Sequence, residues 1–154
     1  MKIFFAGSIR GGRQLIPTYQ YIIRFLKSRD YSVISEHVAA EGLEKVEATM
    51  TEQEIYEKDA TWVEESDCVI ADITVPSIGV GYEICHAIKH KKPVLCVYQE
   101  GANASAMVLG NSTGYVTAKP YSDRKQLEEI ILEFLEKKEL IQDLCFSVYP
   151  RPIV

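Results

Sequence analysis

Cys68-Val69-Ile70-Ala71-Asp72-Ile73 is a short, almost wholly apolar run, and Ser77-Ile78-Gly79-Val80-Gly81-Tyr82-Glu83 follows it within a few residues. The first stretch has the length and composition of a strand buried on both faces. Ile84 to Ile88 then carries helical apolar spacing. The intervening segment therefore sits at a strand end and opens a helix, where open α/β sheets bind ligands. Gly79 and Gly81 carry no side chains, so a ligand can approach the backbone. Glu83 is expected in the first helical turn, where the positive helix end favours the ionised carboxylate. A carboxylate held charged beside a small-residue crevice suits a nucleophile. An ordinary first-turn glutamate would present the same letters.

Upstream, Met1 to Ala6 is a candidate first strand, with Gly7-Ser8-Ile9-Arg10-Gly11-Gly12-Arg13 directly after it. A helix is expected from Ile16 to Lys27, with Pro17 in its first turn and Ile22, Ile23, Phe25 and Leu26 as its apolar stripe. Strand, glycine-rich loop and helix form a geometry that cradles phosphate. The loop matches neither G-x-x-x-x-G-K-[ST] nor G-x-G-x-x-G. Arg10 and Arg13 are placed to add charge to a phosphate; a glycine turn with two surface arginines fits equally.

Tyr31 to Ser35 reads as a second strand that leaves His37 near the same crevice, although a solitary histidine is more often structural. Ala39 to Met50 reads as a lid or a variable helix-loop. Thr51-x-x-Glu54 is a capping box. Its helix runs to about Glu65 and carries Asp59 and Trp62. Taken singly, a helical aspartate is usually solvated and the tryptophan belongs to a core.

Downstream, His86 and His90 stand at i, i+4, as metal ligands can. No H-E-x-x-H pattern and no third ligand is evident in the sequence, so no metal and no cofactor are expected. Val94 to Tyr98 is a further buried strand, Ser105-Ala106-Met107 starts a short helix before Gly110, and Tyr115 to Thr117 is a fifth strand. Ser122 reads as the N-cap of a helix from Asp123 to Lys138, with Leu127, Ile130, Ile131, Phe134 and Leu135 on its buried face. Residues 1–138 would form one domain. The apolar tail, residues 139–154, has no assigned role; packing on a neighbouring subunit is one. The alternation of strands and helices predicts an α/β fold, a five-stranded parallel sheet with helices on both faces. Gly7 to Gly12, His37 and Ser77 to Glu83 would converge at its strand ends.

A length of 154 residues suits one core, and 47% hydrophobic with 25% charged residues is an ordinary globular composition. The net charge of −5 argues against a nucleic-acid or membrane surface but not against a small anion held by a local loop. Lys2 to Ala6 is too short for a secretory leader, and no run spans a bilayer. The four cysteines, Cys68, Cys85, Cys96 and Cys145, form no Cys-x-x-Cys, and Cys68 and Cys96 lie in strand-like runs. Reduced core thiols and a cytoplasmic setting follow.

Several of these blocks carry a resemblance. Phe5 to Arg13, Ser35-Glu36-His37-Val38, Glu57-Lys58-Asp59 with Trp62, Pro76 to Glu83, Leu95-Cys96 and Ser105-Ala106-Met107 occur in this order. Together they resemble the 2′-deoxynucleoside 5′-monophosphate N-glycosidases of the nucleoside 2-deoxyribosyltransferase superfamily, up to about residue 136.

The resemblance implies a flavodoxin-like, homodimeric hydrolase of the N-glycosidic bond of a nucleoside 5′-monophosphate, requiring no cofactor. By it, Glu83 is the nucleophile at C1′, and Asp59 is a second carboxylate near sugar and base. Gly7, Ser8, Ile9, Arg10 and Gly11 surround the 5′-phosphate, and Ser77 helps hold it. His37, Gly79, Gly81 and Met107 join the substrate-binding set, and Ser105 reaches the phosphate of the neighbouring subunit. Base exchange and non-catalytic nucleotide binding are the alternatives. One position departs from the pattern. Phe4 stands where these hydrolases carry a tyrosine close to the sugar, which implies room for one more oxygen and weaker discrimination against a 2′-hydroxyl.

Overall fold

A computed structural model describes residues 1–148 except 41, 43, 44 and 46, with side chains described to residue 140. The chain divides into two compact units, Met1–Pro120 and Tyr121–Val154. The five-stranded sheet comprises β1 (Lys2–Ala6), β2 (Ser32–Val33), β3 (Cys68–Asp72), β4 (Val94–Gln99) and β5 (Val116–Tyr121), in the order β2-β1-β3-β4-β5. The parallel registers pair Ile3 with Val33, Phe5 with Ile70, and Ala71 with Cys96. Chain order reverses between β1 and β3, so the crevice beyond their C-terminal ends is the topological switch point.

Ile3 to Ala6 and all of β3 are buried, because both faces of the sheet are covered. Side chains alternate between those faces. Phe4, Ala6, Val69, Ala71, Val94 and Cys96 form a core with Val63 of α2 (Glu52–Glu65) and with Val80, Ile84 and Ala87 of α3 (Ile78–Lys89). On the opposite face Phe5 meets Tyr19 of α1 (Ile16–Lys27) edge-on, ring centroids 5.4 Å apart. Cys68 and Cys96 are buried and in no disulfide, as expected of reduced core thiols.

The capping box forms as read: Thr51 Oγ1 accepts from Glu54 N–H while the Glu54 carboxylate accepts from Thr51 N–H. Several boundaries moved. β2 is only Ser32–Val33, because Ser35 Oγ takes over the edge of β1. It accepts from Phe5 N–H at 2.7 Å and donates to Phe5 C=O at 2.8 Å. His37 consequently lies in a 3₁₀ turn, Glu36–Ala39. The short helix after Ser105 is α4 (Ala106–Leu109).

In the second unit α5 spans Arg124–Val148, ten residues beyond the expected end. Its sequence holds no glycine or proline before Pro150. Asp123, not Ser122, accepts from the first-turn Gln126 N–H. Much of the apolar tail is thus helical; residues 149–154 lie outside the described residues. Among the described residues no helix is long and apolar enough to cross a membrane.

Candidate active site

The loop after β1 is fixed from beneath. Tyr19 is fully buried and its hydroxyl accepts from Ser8 N–H at 3.1 Å. A Cβ on Gly7 would lie 2.8 Å from the Tyr19 ring, so only glycine lets ring and loop approach this closely. A Cβ on Gly11 would lie 2.5 Å from Pro76 C=O and 2.7 Å from Ser8 Oγ. That close contact seats the first loop against the segment leading into α3. Arg13 does not line the crevice described below, and its side chain is engaged elsewhere. Its guanidinium donates to Val38 C=O at 2.8 Å and Ala40 C=O at 2.7 Å, and so pins the segment after the 3₁₀ turn.

Gly7, Ile9 and Arg10 from the first loop, Asp59 from α2, and Ser77, Gly79 and Glu83 from α3 line one crevice of about 310 Å³. That is the lower end of the size range for small-molecule sites. A contiguous set of residues, Tyr56, Asp59, Gly79 and Glu83, also lines a smaller chamber of about 160 Å³. Glu47, Glu52, Ile55 and Tyr56 join the larger crevice and were not foreseen. The spacing of Glu52, Ile55, Tyr56 and Asp59 puts them on one face of α2, which is the signal that could have found them. Arg10 Nη1 lies 3.2 Å from both Glu52 carboxylate oxygens, and Nη2 lies 3.9 Å from Glu47. This contact holds the arginine at the mouth.

Ser77 caps α3, its Oγ accepting from Val80 N–H at 3.4 Å. The helix therefore begins at Ile78, and Glu83 sits in its second turn rather than its first. The helix end does not keep this carboxylate ionised. Crowding by protein atoms raises its pKa to about 8, and the neighbouring Asp59 carboxylate adds to the rise. Asp59 is itself raised to about 6 by burial, opposed by Lys58 and helped by Glu47. Near neutral pH the pair consequently holds one proton, mostly on Glu83.

Behind Asp59, burial and then Lys58 lower His37 to about 4, leaving it neutral. Its Nε2 is 3.8 Å from Asp59 Oδ1, beyond hydrogen-bond reach, and its ring packs against Trp62 at 5.1 Å.

Other expected site residues fall elsewhere. Phe4 is fully buried on the face of β1 that α2 and α3 cover, in one cluster with Val63 and Val80, which line the two hollows, but Phe4 itself lines neither. Ser8 and His37 have buried polar atoms behind the lining, and Gly11 serves loop packing. Gly81, Ser105 and Met107 line another hollow of about 430 Å³, which shares Ser77 and Val80 with the crevice. That hollow is larger than the crevice, yet among the described residues no carboxylate lines it. The paired acids with raised pKa, rather than the volume, make the crevice the candidate site.

Comparison with known proteins agrees with this architecture. The family model for nucleoside 2-deoxyribosyltransferase matches residues 3–139. A protein of Methanococcoides burtonii with the provisional name 2′-deoxynucleoside 5′-phosphate N-hydrolase 1 is 50% identical over 119 residues, 77% of this chain and 98% of the relative. The 5-hydroxymethyl-dUMP N-hydrolase of Rattus norvegicus is 42% identical over 117 residues, 73% of this chain and 71% of that protein. The structure of the CMP N-glycosidase of Clostridium botulinum superposes with a TM-score of 0.64 at 22% identity, covering 88% of this chain and 98% of that one. With its 2-1-3-4-5 sheet and a profile match over nearly its whole length, the chain belongs to the nucleoside 2-deoxyribosyltransferase family.

Proposed function

We propose that the chain hydrolyses the N-glycosidic bond of a nucleoside 5′-monophosphate, giving the free base and (deoxy)ribose 5-phosphate. The observation that carries this reading is the convergence of Glu83, Asp59 and the Gly7–Arg10 loop on one crevice. The names of relatives at 42% and 50% identity support it: both are N-hydrolases of nucleoside 5′-phosphates.

In the proposed mechanism, the Glu83 carboxylate bonds to C1′ as the C1′–N bond breaks. The base takes the departing electron pair and a proton from the Asp59 carboxyl. Water then gives a proton to Asp59 and attacks C1′, returning Glu83 as a carboxylate. The positive charge developing on the sugar favours ionised Glu83, which shifts the shared proton towards Asp59. Arg10, Ile9 and the first turn of α3 at Ser77–Gly79 are the proposed phosphate seat, with unpaired helical N–H groups as donors. Phosphate binding is remote from C1′ and contributes positioning.

The test is a panel of ribo- and deoxyribonucleoside 5′-monophosphates scored for released base. Release from at least one nucleotide, and not from the matching nucleoside, is expected. No release from any would leave a binding protein without catalysis. Transfer of the sugar to an added second base, in preference to water, would indicate base exchange. The ratio of kcat/KM for ribo and deoxy compounds gives the sugar preference.

A homodimer and a cytoplasmic setting belong to the same proposal. Ile78 is 96% and Met107 85% exposed. Met107 lines the 430 Å³ hollow beside Ser105, as an uncovered subunit face would. Sedimentation at micromolar concentration should give a dimer, and Met107→Glu a monomer. A wild-type monomer would remove Ser105 from any neighbouring site.

A further inference from the structure

His86 and His90 lie on successive turns of α3, their ring centroids 4.5 Å apart. Across the groove, on α2, stands Glu64. Its Oε1 is 2.9 Å from His86 Nε2 and 3.5 Å from His90 Nε2. One ligand atom from each of the three residues lies within 4.8 Å of the others. A tetrahedral zinc ion with bonds of about 2.0–2.1 Å separates its ligand atoms by roughly 3.3 Å. The two distances from Glu64 bracket that spacing, and the two imidazoles have only to draw together from within 4.8 Å to complete the face.

We infer that Glu64, His86 and His90 form a zinc site that fastens α2 to α3. The side chains are 47%, 10% and 34% exposed respectively, which leaves the outward position open to a water as fourth ligand. Two imidazoles with one carboxylate suit zinc. Magnesium and calcium, which require oxygen donors, do not fit. The Tyr82 ring stacks on His86 at 6.1 Å and 15°, and its hydroxyl meets that of Tyr56 at 3.3 Å. The helices joined are those that carry Asp59 and Glu83, and His86 also lines the smaller chamber with them, but the ligands are different side chains from the two proposed catalytic carboxylates.

The test is calorimetric titration of tag-free protein with zinc chloride, without nucleotide, so its outcome is independent of the hydrolytic reading. One zinc per chain and a rise in Tm at saturation are expected. His90→Ala and Glu64→Gln should each weaken zinc binding beyond the roughly 10–100-fold that losing an outer-shell partner costs. The metal-free Tm of these variants should stay close to wild type, which separates a lost ligand from a lost fold; His90→Gln serves if His90→Ala melts early. Cys85→Ser should bind zinc normally, and magnesium should produce no heat. Absence of saturable zinc binding would overturn the site. So would wild-type affinity in both ligand variants, or a loss confined to Cys85→Ser.

Discussion

Replacement of Glu83 by alanine is expected to abolish base release, lowering kcat by roughly 10³-fold or more, while nucleotide still binds. The side chain lines the crevice from the second turn of α3, where it buries no core contact that the helix needs. Its neighbours Val80, Ile84 and Ala87 face the sheet instead and hold the helix in place. Loss of the carboxylate should therefore leave the fold, the phosphate seat and KM largely intact. Glu83→Gln keeps the shape without the charge and should fail equally. A variant retaining even a tenth of wild-type turnover would show that the side chain does not bond to C1′.

The second large effect concerns the shared proton. Above Asp59's pKa of about 6 and below Glu83's of about 8, the pair holds one proton. That is the composition the reaction needs: one ionised carboxylate and one acid. The values belong to an interacting pair and mark the limits of its singly protonated form. kcat/KM should accordingly be bell-shaped, falling below about pH 6 as the second proton is taken up and above about pH 8 as the last is lost.

Asp59→Asn removes the acid and should lower kcat/KM by about 10²–10⁴-fold. It should also change the shape of the profile. With one titrating carboxylate left, activity should rise with pH to a plateau. The midpoint should lie below 8, because the Asp59 charge no longer raises Glu83 while burial still does. A bell retained by Asp59→Asn would assign the acid to another group.

Much of the fold was legible because its signals are local. β1 and β3 are compact apolar runs, and the Thr51–Glu54 box marks a helix start whatever lies around it. The start of α3 was less legible. Gly79 and Gly81 read as the small-residue segment that opens the helix, yet both lie within it, which costs propensity that the packing of Val80 and Ile84 outweighs. Glu83 is consequently expected one turn too early and ionised by the helix end, whereas burial keeps its carboxyl protonated to higher pH. Contacts between distant segments carry no short-range signal. The bonds from Arg13 to Val38 and Ala40, the edge role of Ser35, and Glu64 facing His86 are all of this kind.

The stereochemistry of trapping tests covalent participation of Glu83 most directly. Methanol added during turnover of a β-nucleotide competes with water for the sugar, and NMR of the methyl glycoside 5-phosphate reports the configuration at C1′. Two displacements through Glu83 require retention, hence the β-glycoside. An α-glycoside would mean a single displacement by solvent, with the carboxylate serving as a base and never bonded to the sugar.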